Sequence, residues 1–122
     1  MTIRDELDAI NASFSRAYSS GDADAVADAY TEDARLLFGG QPIVRGRAAI
    51  RDLFRGAFKD GSEATTFETG EVFGEGDLVV DVGRVVTPTG TGKYVVVYQR
   101  GPDGRLRIAV DAASGDAPRP GG

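Results

Sequence analysis

Apolar residues recur every three to four positions at the start of the chain, as they do along one side of a helix. The first such stripe contains Ile3, Leu7, Ile10 and Phe14. This stripe predicts an amphipathic helix over residues 3–19. A second helix is predicted over residues 23–30, and a third begins after Gly46 and ends near residue 60.

The spacing changes after the third predicted helix. Two short extended pieces, residues 34–38 and 42–45, precede that helix, and four segments rich in Val, Thr, Phe and Tyr follow it. These segments cover residues 62–73, 77–87, 92–100 and 105–113. Short loops rich in Gly and Pro connect them as hairpins would. The order predicts an α+β domain in which a curved antiparallel sheet wraps three N-terminal helices.

Length and composition fit one domain, which we place at residues 1–113, with a disordered Gly/Pro-rich tail at 114–122. The net charge of −5 argues against a nucleic-acid partner. The absence of His and Cys removes classical zinc sites, His bases and thiol nucleophiles. No cofactor or metal is expected. We find no signal peptide and no apolar run of membrane-spanning length, so we expect no membrane partner and a cytoplasmic location.

One face of the sheet is expected to meet the helices, and the other is too apolar for water. The residues assigned to that second face are Val79, Val95, Val97, Leu106, Ile108 and Val110. An exposed apolar face of this kind usually marks an interface. We therefore predict a homodimer through the convex sheet face.

Three segments resemble one known family. They are Gly21-Asp22, Tyr30-Thr31-Glu32-Asp33-Ala34 and Gly46-Arg47-Ala48-Ala49-Ile50. The ending Asp103–Asp111 is similar to the last strand of many members. Over residues 3–113 the chain resembles the SnoaL-like and ketosteroid-isomerase-like branch of the nuclear transport factor 2-like superfamily. The resemblance implies a cystatin-like cone with an internal pocket for a small apolar molecule.

The resemblance also implies where isomerase residues should fall. Ketosteroid isomerases use a Tyr on the first helix and a protonated Asp on the second-last strand as oxyanion donors, and an Asp after the first strand as the base. In this chain the position of the helix tyrosine falls on Phe14, and that of the protonated Asp falls near Val96. The position of the base falls on Phe38. None of the three can donate or accept a proton, so steroid isomerisation by that mechanism is rejected and an apolar pocket centre is expected.

Strand alternation extends the candidate site. If Val96 points inward, Tyr94 and Tyr98 of the same strand do too. On the preceding strand the same reasoning places Arg84 inward, together with Val80, Val82 and Val86. On the last strand it places Asp111 inward, together with Arg107 and Ala109. The candidate ligand-binding residues are Phe14, Tyr18, Phe38, Phe54, Tyr94, Val96 and Tyr98. Asp111 and Arg84 are the candidate catalytic residues. A few polar groups in an apolar cavity are typical of a ligand site.

Asp111 is the candidate general base, because burial in an apolar cone raises the pKa of a carboxyl group. The alternatives are that Asp111 pairs with Arg84 or caps the end of the first helix. Arg84 could polarise a carbonyl or hold a carboxylate. Epoxide hydrolases related to limonene-epoxide hydrolase use an Asp-Arg-Asp set of catalytic residues. In this chain Val86 stands two positions after Arg84, where that set requires an Asp, so only half of the set is present. Tyr94 and Tyr98 could bond a ligand oxygen or serve as core aromatics.

These residues leave several functions open. The first hypothesis is an isomerase or cyclase-type enzyme that acts on a hydrophobic, polyketide-like carbonyl compound. A non-catalytic metabolite-binding protein is the second, and a dimerisation module with a filled pocket is the third. An epoxide hydrolase-like activity is the weakest of the four.

Overall fold

The structure is a computed structural model that describes residues 2–116. Its elements follow in the order α1, α2, β1, β2, α3, β3, β4, β5 and β6. The helices are α1 (Ile3–Ser19), α2 (Ala23–Asp28) and α3 (Arg47–Ala57). The strands are β1 (Tyr30–Phe38), β2 (Val44–Arg45), β3 (Thr66–Phe73), β4 (Leu78–Thr87), β5 (Gly90–Arg100) and β6 (Leu106–Gly115).

The bounds of α1 are those that the apolar stripe predicts, because local signals define both ends. The hydroxyl of Thr2 accepts from the backbone N–H of Asp5, and the Asp5 carboxylate accepts from the backbone N–H of Thr2. Gly21 then turns the chain at φ 73°, which glycine adopts without strain. Asp22 caps α2 by accepting from the backbone N–H of Ala25 at 3.1 Å.

The sheet is mixed, which corrects the prediction of a purely antiparallel sheet. Its strand order is β2-β1-β6-β5-β4-β3, and β1 pairs with β6 in parallel while every other neighbouring pair is antiparallel. The meander β3 to β6 ends with one edge of β6 unpaired, and β1 occupies that edge. The helices are also not all N-terminal to the sheet, because α3 follows β1 and β2.

Strand β1 begins at Tyr30, four residues earlier than the sequence predicts, and α2 is correspondingly shorter. Two contacts hold the junction extended. The backbone N–H of Ile108 donates to the carbonyl of Ala29 at 2.8 Å. The guanidinium of Arg47, at the start of α3, donates to the carbonyl of Tyr30 at 2.7 and 3.0 Å. These tertiary bonds override a helical pattern that local sequence would allow.

The inner face of the sheet carries the row Val72, Asp81, Val96, Asp111 and Leu36, which are register partners across five strands. The outer face carries an apolar outer patch, which we define as Phe73, Val80, Val82, Val95, Val97 and Val110. Val79, Leu106 and Ile108 were predicted on the outer face but are buried on the inner one. The prediction that Val80, Val82 and Val86 point inward is wrong. They alternate with the inward Val79 and Asp81 and therefore face outward.

Strand β6 contains a bulge that breaks strict alternation. Val97 pairs with Val110 and Tyr98 pairs with Ile108, so Ala109 is an extra residue without a partner. The bulge allows Ile108 and Asp111, three positions apart, to face inward together. Arg107 and Ala109 were predicted inward beside Asp111. Arg107 instead forms an ion pair with Asp103 at 2.9 Å, outside the inner row.

Strand β6 also continues past the predicted end of the domain at residue 113. Ser114 and Gly115 pair with β5, and the backbone N–H of Asp116 donates to the carbonyl of Thr91 at 2.9 Å. The predicted disorder is therefore wrong for residues 114–116, and residues 117–122 lie outside the described part of the chain. Within residues 2–116, no helix has the length and apolar character needed to cross a membrane.

Candidate functional site

A cavity of about 600 Å³ opens between the helices and the inner face of the sheet. All four tyrosines of the chain line this cavity, namely Tyr18, Tyr30, Tyr94 and Tyr98. Every phenylalanine except Phe73 lines it too, namely Phe14, Phe38, Phe54, Phe58 and Phe67. The mouth is more polar and includes Ser62, Glu63, Thr87, Thr89 and Thr91. The volume and the apolar walls are those of a site for a small organic molecule.

Aromatic side chains form the central wall from three directions. Phe14 of α1 lies 4.9 Å from Phe67 of β3, measured between ring centroids. Tyr18 lies between Phe54, Phe58 and Phe67, with ring centroids at 5.7, 5.0 and 5.3 Å. Edge-to-face contacts at these distances fix the ring orientations and keep the wall rigid.

Asp111 is the acidic group of the cavity interior. Its residue surface is only 9% exposed, and it lies in the cavity wall on β6. The hydroxyl of Tyr30 donates to its Oδ2 at 2.6 Å, and no other described group hydrogen-bonds to the carboxylate. Burial raises the pKa of Asp111 from 3.8 to about 6, although the Tyr30 bond opposes the rise. Oδ1 therefore remains available to a ligand.

Two hydroxyls near this carboxylate have no described hydrogen-bond partner. They belong to Tyr98 of β5 and Tyr18 of α1, and both side chains line the cavity. Burial, followed by the negative charges of Asp81 and Asp111, raises the pKa of Tyr98. Burial and the charges of Asp111 and Glu63 raise the pKa of Tyr18. Both phenols are therefore neutral donors at ordinary pH.

Tyr94 behaves differently, because its hydroxyl already has partners. It donates to Oδ2 of Asp81 at 2.6 Å, with the carbonyl of Glu68 a second acceptor at 2.9 Å. It accepts from the side-chain amide of Asn11 at 3.2 Å. Burial and the Asp81 hydrogen bond raise the pKa of Tyr94. Tyr94 therefore offers the cavity its ring and not its hydroxyl.

Asp81 is a second buried carboxylate, and the sequence did not reveal it. It is fully buried and flanks Val96 on β4, as Asp111 flanks Val96 on β6. Its Oδ1 accepts from the backbone N–H of Gly70 at 3.0 Å, and its Oδ2 accepts from Tyr94. Asp81 lies behind the cavity wall and does not line it. These two bonds join β4 to β3 and β5, and the side-chain amide of Asn11 on α1 also donates to Oδ2 at 3.5 Å.

Arg84 does not reach the cavity, which corrects its assignment as a catalytic residue. Its side chain is on the outer face, 60% exposed, and its Nε lies 3.4 Å from Glu68 Oε1. The predicted pairing with Asp111 is therefore wrong, and so is an epoxide-hydrolase set built on Arg84. Among the described residues Asp111 forms no ion pair. No group of three or more acidic residues within residues 2–116 has the geometry of a metal site.

The other candidate residues all lie in the cavity wall. They are Phe14, Tyr18, Phe38, Phe54, Tyr94, Val96, Tyr98 and Asp111. Sequence reasoning did not include Tyr30, Asn11, Phe58 and Phe67 among the candidate site residues, although all four line the cavity. An available signal was the helical spacing of Phe54 and Phe58. The Tyr30–Asp111 bond joins positions 81 residues apart, and no local pattern marks it.

A comparison with protein families matches the SnoaL-like domain to residues 11–109. The chain belongs to the SnoaL-like domain family. The predicted cystatin-like, nuclear transport factor 2-like fold of this SnoaL-like chain is also confirmed by solved structures. No match to the chain was found among curated proteins.

Three solved structures illustrate the range of proteins that share the fold of this SnoaL-like chain. A ketosteroid isomerase-like protein from Erwinia carotovora atroseptica is 18% identical, with a TM-score of 0.81 over 94% of this chain and 97% of that one. A Catenulispora acidiphila protein in complex with S-DNPA is 19% identical, with a TM-score of 0.76 over 92% of each chain. A putative calcium/calmodulin-dependent protein kinase type II association domain from Thiobacillus denitrificans is 17% identical, with a TM-score of 0.77 over 90% and 94%. At these identities the likeness is one of fold alone.

Proposed function

We propose that this SnoaL-like domain binds a small hydrophobic carbonyl compound and moves a proton on it, in the manner of an isomerase or cyclase. One observation carries the proposal. The buried carboxylate of Asp111 lies in the wall of an apolar cavity, with Oδ2 held by Tyr30 and Oδ1 available. A general base works best when its pKa lies near the working pH, and burial brings the pKa of Asp111 to about 6.

The proposed reaction needs three groups. Ionised Asp111 accepts a proton from a carbon next to the ligand carbonyl, and the electron pair of the broken C–H bond moves to the carbonyl oxygen as an enolate. The neutral hydroxyl of Tyr98 or Tyr18 donates a hydrogen bond to that oxygen, where negative charge develops. Asp111 then returns the proton to the same carbon or to another carbon of the conjugated system. Tyr30 holds the carboxylate in one orientation throughout.

The comparisons support this proposal without deciding it. A ketosteroid isomerase-like protein shares the fold, and another protein of this fold was solved with a small molecule, S-DNPA. The proton-transfer group proposed here lies on the last strand. The positions aligned with isomerase residues carry Phe14, Phe38 and Val96, which contribute apolar wall only.

Deuterium exchange tests the proposal without the natural substrate. Small aromatic ketones such as 2-tetralone are incubated with the protein in heavy water, and deuterium at the α-carbon is followed by NMR. We expect the wild type to exceed the buffer rate, with an activity that rises as the pH passes about 6, because only ionised Asp111 accepts a proton. Asp111→Asn should lower this rate at least tenfold.

The controls separate catalysis from binding. Asp8→Asn removes an exposed carboxylate on α1 and should leave the exchange rate unchanged. Tyr98→Phe should lower the rate without abolishing ketone binding, because it removes only an oxyanion donor. Equal exchange by wild type and Asp111→Asn at every pH would exclude Asp111 as the base.

Binding without turnover is the second candidate function, and the apolar side chains of Phe14, Phe38 and Val96 favour it. In that case a metabolite recovered from the protein has an unaltered structure by NMR, and recovery of an isomer of equal mass would contradict it. The third hypothesis, a pure dimerisation module, requires a filled interior. A cavity of about 600 Å³ argues against it.

We also propose that the domain forms a homodimer through the outer patch. Phe73, Val82 and Val95 are 55%, 37% and 44% exposed, and they belong to neighbouring strands. Isolated exposed apolar side chains are ordinary, but a contiguous group on a sheet face is typical of an interface. A second copy of the same face is self-complementary, as two-fold symmetry requires.

A further inference from the structure

The cavity carries negative charge and no positive charge among the described residues. Two carboxylates line it, Asp111 in the interior and Glu63 at the mouth, and no Arg or Lys does. Glu63 accepts a hydrogen bond from the Thr89 hydroxyl at 2.6 Å, and Asp111 accepts one from Tyr30. A buried carboxylate without a cation is costly, since it loses its water and gains no opposite charge.

The aromatic walls have the same electrostatic preference. The faces of Tyr and Phe rings are negative and attract cations that lie within about 6 Å of the ring centroid. Around Tyr18 three further rings have centroids within 5.7 Å of its own. Asp111 lies in the wall of the same cavity as Tyr18, Tyr30 and Tyr98, and it accepts a hydrogen bond from Tyr30 at 2.6 Å. Rings around a carboxylate are typical of a site for an organic ammonium group.

We propose that the preferred ligand of the cavity is an apolar organic cation, whose protonated or quaternary nitrogen lies against the Asp111 carboxylate. A protonated amine can donate to Oδ1 of Asp111, and the free hydroxyls of Tyr18 and Tyr98 can accept from its remaining N–H groups. The apolar body then fills the space between the phenylalanines. This inference rests on the ligand-binding half of the proposed function. It is an alternative to the proton-transfer half, because an ammonium group at Oδ1 of Asp111 occupies the atom that would accept the proton.

Ligands of other charge fit less well. An anion would lose its water and approach two carboxylates, with neutral hydroxyls as its only strong donors in the lining. A neutral molecule would gain the apolar contacts but would leave Asp111 without an opposite charge. Only a cation offsets the desolvation of Asp111 while it fills the cavity.

The test compares three ligands that share one ring system and differ in charge: 1-naphthylmethylamine, 1-naphthylmethanol and 1-naphthoate. Their dissociation constants for the full chain are measured by isothermal titration calorimetry at pH 7.5 and pH 5. At pH 7.5 we expect the amine to bind about tenfold or more tightly than the alcohol, which corresponds to a modest net ion-pair and cation–π gain. The naphthoate should bind most weakly.

The pH dependence follows from the titratable groups that line the cavity with Asp111. They are Tyr18 from α1, Tyr30 from β1, Tyr94 and Tyr98 from β5, and Glu63 from the loop before β3. The four tyrosines remain neutral because their pKa values are raised. We therefore expect the preference for the amine to shrink at pH 5, where Asp111 is mostly protonated. Glu63→Gln separates the contribution of the mouth and should reduce the preference less than Asp111→Asn does.

Asp111→Asn should remove the preference for the amine, while binding of the alcohol shows that the variant cavity is intact. Asp8→Asn should change none of the three affinities, because Asp8 is an exposed surface carboxylate. If the alcohol binds as tightly as the amine at pH 7.5, or if Asp111→Asn keeps the preference, the inference is wrong while the ligand-binding proposal stands. If no ligand of the series binds, both are refuted.

Discussion

Asp111 should make the protein less stable as the pH rises, and Asp111→Asn should remove that loss. The folded-state pKa of Asp111 is about 6, above the ordinary value of 3.8 that applies to the unfolded chain. A group with a raised folded pKa contributes stability that is fully present below the unfolded pKa and is lost as the pH rises through the folded one. The loss therefore falls between about pH 4 and pH 6 and is complete above that window.

The magnitude follows from the shift. A rise from 3.8 to about 6 corresponds to about 3 kcal/mol, at about 1.4 kcal/mol per pKa unit. Asparagine has nearly the same shape, can still accept from the Tyr30 hydroxyl, and carries no charge at any pH. The stability of Asp111→Asn relative to the wild type should therefore increase by up to about 3 kcal/mol between pH 4 and pH 8.

Urea denaturation of both proteins at half-unit pH steps measures this difference, provided that the unfolding is two-state. The difference between variants is needed because other groups act in the opposite direction. Hydrogen bonds lower the pKa of Asp5, Asp103 and Asp116, and these groups raise the stability as the pH rises. Asp8→Asn controls for the loss of one surface charge. A relative stability that stays flat within about 0.5 kcal/mol, or falls with pH, would refute the assignment of Asp111 as a buried, unpaired carboxylate.

Three further predictions concern the cavity wall and the outer face. Tyr94→Phe should lower the free energy of unfolding by about 2–3 kcal/mol, because Asp81 loses its short hydrogen bond. Tyr98→Phe should lower it by less than about 1 kcal/mol, because the Tyr98 hydroxyl has no described partner. Equal losses for the two variants in urea denaturation would contradict this difference. Gly83→Ala should cost about 2–3 kcal/mol, since a Cβ there would lie 2.3 Å from the Tyr94 side chain and 2.4 Å from the backbone carbonyl oxygen of Glu68. Near-wild-type stability in urea denaturation would contradict this close packing. Val95→Asp should convert the proposed dimer to a monomer in light scattering, and a monomeric wild type would refute the interface.

Helix α1 could be predicted from the sequence because it has a single apolar stripe and a strong capping motif at its start. The period of its pattern and the phase can both be read from the residues. Strand β5 is different, because Val95 and Val97 make its outward side apolar too. Its phase was predicted correctly from the resemblance that places Val96 in the pocket, and burial follows the resulting alternation of Tyr94, Val96 and Tyr98.

Strand β4 could not be predicted in the same way, because valines occupy both of its faces. Val79 and Val85 face inward and Val80 and Val82 face outward, so the pattern fixes the period but not the phase. The outer patch makes the exposed side as apolar as the core side. This ambiguity is why Arg84 was placed in the cavity and Asp81 was overlooked.

Asp111 was placed correctly for a reason that the structure does not support. Alternation from Arg107 and Ala109 would have placed all three side chains inward, but the bulge at Ala109 changes the phase within the strand. A bulge adds one residue to one strand and leaves no reliable mark in the local sequence. The hydrogen bond from Tyr30 to Asp111 depends on the parallel pairing of β1 with β6. That pairing was also not predicted from the sequence.

The two buried carboxylates have opposite roles because their surroundings differ. Asp81 has donors at both oxygens, and its bonds to Gly70 and Tyr94 tie three elements together. Asp111 lies in the wall of a cavity and accepts a hydrogen bond from one donor, Tyr30. Burial raises its pKa, so the charge on Asp111 lowers the stability of the fold at neutral pH. A neutral residue that still accepts from the buried Tyr30 hydroxyl, such as asparagine, would give a more stable fold at neutral pH. The group that offsets the cost of Asp111 is therefore expected to come from a ligand, and a bound cation should stabilise the protein more at pH 7.5 than at pH 5.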